Sequence, residues 1–158
     1  MSRLSIPAVV DAPAASQPLL AVVHKKLGVV PNLMKLLGQS PAALEGYLSL
    51  SGALDKGVLN AKLRETLALA VAEFNGCDYC LAAHSYIGKN LVKLTDDEIA
   101  QARDGRAADA RNDAALRFAQ RVAAERGRVL DADIAALRAA GFSDAETVEI
   151  VLHVALNV

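Results

Sequence analysis

The sequence predicts a single all-α domain, and three observations carry that prediction. Apolar residues recur at three- and four-residue spacing through almost the whole chain, the pattern of helices with one buried face. Gly, Pro, Asn and capping-box residues cut this pattern into segments of helical length. No segment keeps the strict apolar–polar alternation of a half-buried strand. Aromatic content is low, 4% with no Trp, while Ala and Leu abound, so the helices are expected to pack closely through small residues.

The elements follow in chain order. Residues 1–16, interrupted by Pro7, Asp11 and Pro13, read as an irregular arm. PLLAVVHKKL, residues 18–27, reads as a short helix stopped by Gly28. Pro31-Asn32 opens a brief second helix, NLMKLL, that ends at Gly38. Ser40-Pro41 supplies an N-cap with Pro at the first helical position, starting a helix to about Lys56. Asn60 caps the next helix, which carries Leu63, Leu67, Ala70 and Val71 on one side.

Asn75-Gly76 breaks that helix, because both residues tolerate the left-handed conformation, and a new helix is expected close to Cys77. Thr95-Asp96-Asp97-Glu98 and Ser143-Asp144-Ala145-Glu146 both fit the capping-box pattern ahead of apolar-periodic runs. Between them lie helices near 110–126 and 131–139, the second ended by Gly141. The charged stretch Arg103–Arg111 reads as a solvated loop. ETVEIVLHVALNV, residues 146–158, stays periodic and apolar to Val158 with no stop signal, so a continuation of the natural chain is expected. Without a long linker or a repeat of fixed period, residues 1–158 are read as one domain.

The bulk numbers narrow the function classes. The 158 residues are 53% hydrophobic and 22% charged, the balance of a folded globular chain. Lys plus Arg (17) against Asp plus Glu (18) gives no electrostatic pull toward nucleic acid or an anionic membrane. The N-terminus lacks the basic and long apolar regions of a signal peptide, and no uncharged apolar run reaches the roughly 18 residues of a membrane span. A cytoplasmic location is therefore expected. There, closely spaced cysteines serve catalysis or metal binding rather than a structural disulfide. Mean hydropathy is +0.26, and part of that apolar surface is expected to be covered by a partner subunit.

The chemistry concentrates in CDYCLAAH. Both cysteines of the chain, Cys77 and Cys80, stand three apart, and His84 follows four residues later. On a helix these positions share one face. A helix beginning at Cys77 would offer unpaired N–H groups and a positive dipole end, which stabilise a thiolate against the free cysteine pKa of about 8.5. Glu65 lies twelve residues before Cys77. In one unbroken helix that is about 18 Å along the axis, at about 1.5 Å per residue. A reversal at Asn75-Gly76 would instead bring it back beside the thiols. Set among apolar residues, Glu65 is a candidate proton donor and acceptor. Which cysteine is the more reactive stays open on these grounds: the helix start favours Cys77 and the nearness of His84 favours Cys80.

This arrangement resembles the AhpD-like alkylhydroperoxidase superfamily, which includes the carboxymuconolactone decarboxylases. The superfamily pattern is a Glu, eleven residues, CxxC, three residues and a His; Glu65, Cys77, Cys80 and His84 match it position by position. The upstream LGVVPNLMKLLGQSPAALEGYLSLSGAL is similar to the peroxidase-related branch, so the likeness spans roughly residue 18 to the end. The resemblance implies an AhpD-like helical bundle, assembly into trimers or hexamers, and cysteine-based reduction of hydrogen peroxide or organic hydroperoxides. It implies Cys80 as the peroxide-attacking cysteine and Cys77 as the resolving one, with Glu65 and His84 shuttling protons. An external dithiol would reset the site, and no cofactor or metal is required. The decarboxylase branch generally lacks the CxxC pair, which makes its chemistry the lesser alternative.

Blander readings stand beside these. A zinc site would take His84 as a third ligand and need a fourth, from His24 or His153, because no second CxxC or HxxxH is present. Two inert buried thiols would need neither CxxC spacing nor a neighbouring His and Glu. A dithiol–disulfide oxidoreductase that does not turn over peroxide fits the motif equally. Glu73 reads as a solvated carboxylate at a helix end, Tyr79 as a packing or subunit-contact residue, His153 as a core or interface histidine, and His24 as a surface residue.

Overall fold

The structure is a computed structural model that describes residues 3–158; the first two residues of the expected arm lie outside them. Among the described residues every regular element is helical. By its contacts the chain divides into two compact units, the first ending at Ala53 and the second running Leu54–Val158.

The first unit holds α1 (Gln17–Leu27), α2 (Asn32–Leu37) and all but the last residue of α3 (Pro41–Leu54). Ala12, Leu20, Val23, Val30 and Leu44 form its buried core. Gly28 ends α1 in the left-handed conformation, φ 73°, and donates its N–H to the His24 carbonyl at 2.8 Å. The N-terminal arm is more ordered than its sequence suggests. Val9–Asp11 and Ala14–Ser16 are 3₁₀ turns. The Gln17 side-chain amide donates to the carbonyls of Val9 and Ala12, at 2.8 and 3.0 Å, and so ties the arm to the start of α1.

The second unit is built around α4 (Ala61–Phe74), which packs against α5 (Asp78–Ile87), α6 (Asp96–Arg103), α7 (Ala110–Ala124) and α9 (Asp144–Asn157). Leu67 to Ala72 are all buried, as expected of a helix with neighbours on every side. The short α8 (Asp131–Ala139) packs on α7 and adds Leu137 to the same core as Leu116, Phe118 and Ile150. The capping signals read from the sequence are in place. Asn60 accepts from the Leu63 N–H at 2.9 Å, and complete capping boxes start α6 at Thr95 and α9 at Ser143. No helix among the described residues is long and apolar enough to cross a membrane.

Two features depart from the sequence reading. Arg103–Arg111 is not simply a solvated loop: Arg103 pairs with Glu73 at 2.6 Å, Arg106 with Asp113 at 3.0 Å, and Arg111 with Glu146 at 2.6 Å. The Arg111 guanidinium also lies 3.9 Å from the centre of the Phe142 ring. Their partners sit 7 to 35 residues away in sequence, beyond the reach of local patterning. Second, the turn before α4 is held by a residue of α9. The Glu149 carboxylate accepts from the Val58 N–H at 2.9 Å and the Leu59 N–H at 3.2 Å. It lies so close to Gly57 that any Cβ there would collide with it.

Candidate active site

The site begins at a chain reversal. Gly76, at φ 62°, is left-handed; its N–H bonds the Glu73 carbonyl at 2.9 Å and the Cys77 N–H bonds the Ala72 carbonyl at 3.0 Å. These two bonds around a left-handed glycine form the Schellman end of a helix. Asn75 itself remains right-handed, φ −80°, so the reversal rests on Gly76 alone. The chain then turns into α5, with Cys77 as its N-cap.

The reversal brings Glu65 of α4 to His84 of α5, nineteen residues apart in sequence. Glu65 Oε1 and His84 Nδ1 lie 2.8 Å apart, with side chains only 12% and 23% exposed respectively. When the carboxylate is ionised, Nδ1–H donates to it, and Nε2 takes no part in that bond. The pair is thus oriented and largely withdrawn from water.

Cys77 and Cys80 are joined in a disulfide, their Cα atoms 5.3 Å apart. The Cys77 Sγ accepts from the Cys80 N–H at 3.2 Å, capping one of the open N–H groups of α5. Both cysteines are half-buried, and His84 stands four residues after Cys80, one turn along the same helix.

After α5 the helix widens into a π-helical turn, Gly88–Val92, closed by the Leu94 N–H on the Gly88 carbonyl at 2.8 Å. Gly88 is buried, and a Cβ there would meet Leu94 Cδ1 at 3.1 Å and the Glu65 stem at 3.6 Å. The missing side chain lets this turn lie against Glu65. Sequence reasoning overlooked Gly88; the only available signal was a glycine one turn beyond His84 inside an otherwise helical run.

Glu73 is bound to Arg103, with both side chains well exposed. Tyr79 is 47% exposed on α5, and His24 is exposed on α1. His153 is buried on α9. Among the described residues no three His, Cys, Asp or Glu side chains gather as a metal-binding group.

A helical core with a CxxC disulfide beside a Glu–His pair defines the AhpD-like class, and the comparisons agree. Residues 41–125 match the model of the Carboxymuconolactone decarboxylase family, and the chain belongs to that family. It is similar to the crystal structure of an alkylhydroperoxidase AhpD core, an uncharacterized peroxidase-related protein from Ralstonia eutropha JMP134. There the identity is 29% and the TM-score 0.85, over 99% of this chain and 84% of that one. An uncharacterized peroxidase-related protein from Silicibacter sp. TM1040 is 26% identical with a TM-score of 0.84, over 98% of this chain and 83% of that one. The debrominase Bmp8, solved with 2,3,4-tribromopyrrole, shares the fold at 18% identity and a TM-score of 0.81, over 99% of this chain and 84% of that one. In sequence, an uncharacterized protein of Haemophilus influenzae is 46% identical over 48 residues. That match spans 30% of this chain and 42% of the relative.

Proposed function

We propose that the protein is a thiol-dependent peroxidase that reduces hydrogen peroxide or organic hydroperoxides through a dithiol–disulfide cycle at Cys77 and Cys80. The observation that carries this reading is the pairing of His84 with Glu65 one helical turn from a closed Cys77–Cys80 bond. In the reduced enzyme the Cys80 thiolate attacks one oxygen of the O–O bond and becomes a sulfenic acid. The leaving alkoxide or hydroxide takes a proton from His84 Nε2, while Glu65 holds the ring and offsets its positive charge. Cys77 then attacks the Cys80 sulfur, hydroxide leaves as water with a proton, and the disulfide closes. An external dithiol returns two electrons and two protons by exchange.

Assignment of the attacking role to Cys80 follows the family resemblance and its place one turn from His84. The cytoplasm fits this cycle because its reductants keep such dithiols reduced. A homo-oligomer, trimer or hexamer, fits the exposed apolar residues Val148, Val151 and Leu152 on one side of α9. The second reading, a dithiol–disulfide oxidoreductase without peroxide turnover, draws on the disulfide alone. Mass spectrometry of reduced protein after one equivalent of peroxide separates them. The peroxidase loses two hydrogens as Cys77–Cys80 closes; protein that stays reduced, or one cysteine driven to a sulfonic acid beside a free partner, overturns the proposal.

A further inference from the structure

His153 is the one buried histidine among the described residues, 5% exposed, and its Nε2 has no hydrogen-bond partner. It is buried on α9, which packs against both α4 and α7. Three charged groups act on it: Arg64 on α4, Asp55 in the turn before α4, and Glu149 on α9 itself. Arg64 is held by the Leu59 carbonyl at 2.6 Å and by Asp55 at 3.7 Å. Glu149 is held by the backbone of Val58 and Leu59. From α7, Arg111 engages α9 two turns away, at Glu146. Of the two carboxylates, Glu149 is engaged by the backbone N–H groups of Val58 and Leu59 and Asp55 by Arg64.

Two side-chain-to-backbone hydrogen bonds tie the end of α9 to the redox turn. The Asn157 side chain donates to the His153 carbonyl at 2.8 Å, and the Asn75 side chain donates to the Asn157 carbonyl at 3.3 Å. Asn75 immediately precedes Gly76 and Cys77.

We propose that His153 is an acid-sensitive latch: uncharged, it keeps the C-terminal turns of α9 packed on α4, and its protonation releases those turns together with the Asn75 tie on the Cys77 turn. The latch is independent of the peroxide chemistry. Burial, and after it the Arg64 charge, hold the imidazole below the ordinary value of 6.5, while Glu149 and Asp55 pull the other way. The folded state therefore binds the proton less well than the open one. Packing is at full strength above pH 6.5 and weakens as the pH falls from there toward the depressed folded value.

Hydrogen exchange of the full chain, corrected for the intrinsic pH dependence, tests this. On acidification from pH 7.5, amides of residues 150–158 and 76–80 are expected to lose protection, by up to about tenfold per pH unit for one linked proton. His153→Leu, apolar and of similar volume, should abolish that dependence. An NMR titration of wild-type His153 adds a reading that needs no variant, with a midpoint below 6.5 expected. Unchanged protection of α9 in the wild type, acid opening that persists in His153→Leu, or a midpoint at or above 6.5 overturns the latch.

Discussion

Glu65 and His84 show how much one contact between distant residues asks of its surroundings. The carboxylate comes from the middle of a buried helix and the imidazole from the next helix, and they meet at 2.8 Å only because Gly76 reverses the chain. On the proposed mechanism Glu65→Gln preserves shape but removes the charge that orients and supports the ring, and His84→Ala removes the proton carrier. Each is expected to slow peroxide reduction on the order of 10²-fold, and the double variant less than the product, because the two act as one relay. Second-order rates across pH for the singles and the double check this. Full activity with an unchanged pH profile in Glu65→Gln would return Glu65 to a structural role. Asp113 offers a separate test at this scale. Its hydrogen bond to Arg117, aided by the Ala107 N–H and Arg106, holds its carboxyl at about 2, against an ordinary 3.8. Its contribution is present above pH 3.8 and is lost as the pH falls toward 2, so acid unfolding of Asp113→Asn should show a shallower slope in that window.

At the scale of elements, the site depends on how α4 ends and α5 begins. Replacing Gly76 by Ala forces a side chain into the left-handed region, a cost of roughly 1–2 kcal/mol. The variant is expected to melt earlier and to close the Cys77–Cys80 disulfide less readily, both measurable in one oxidised-versus-reduced thermal scan. A melting point equal to wild type in both states would show that the reversal does not need glycine. This part of the fold was legible from residues because its signals are local: Asn75-Gly76, the capping boxes at Thr95 and Ser143, and Asn60 each declare a helix end within four positions. Devices whose partners are far away were not. The Glu149 grip on Val58 and Leu59 spans about ninety residues, and a glutamate inside an apolar run carries no mark of its acceptor. The π-helical turn at Gly88 and the Gln17 tie on the N-terminal arm are local, but neither matches a helix start or stop signal.

For the whole molecule, the prediction of an all-helical class came from periodicity, whereas the chemistry came from four residues whose spacing matters only once the chain reverses. Apolar side chains left open on α9, with Val148 at 60% exposure, support assembly. Light scattering at micromolar concentration should give several times the 16.6 kDa of one chain, and a clean monomer would remove that part of the proposal. The central claim is peroxide reduction by the Cys77–Cys80 pair. Its most direct test is hydroperoxide consumption by purified protein supplied with a dithiol reductant, comparing wild type with Cys80→Ser. The account predicts continuous turnover by the wild type, one disulfide reduced per peroxide consumed, and loss of turnover in Cys80→Ser. Peroxide consumption at the same rate in both proteins, or none in the wild type while its disulfide still exchanges with the dithiol, would contradict it.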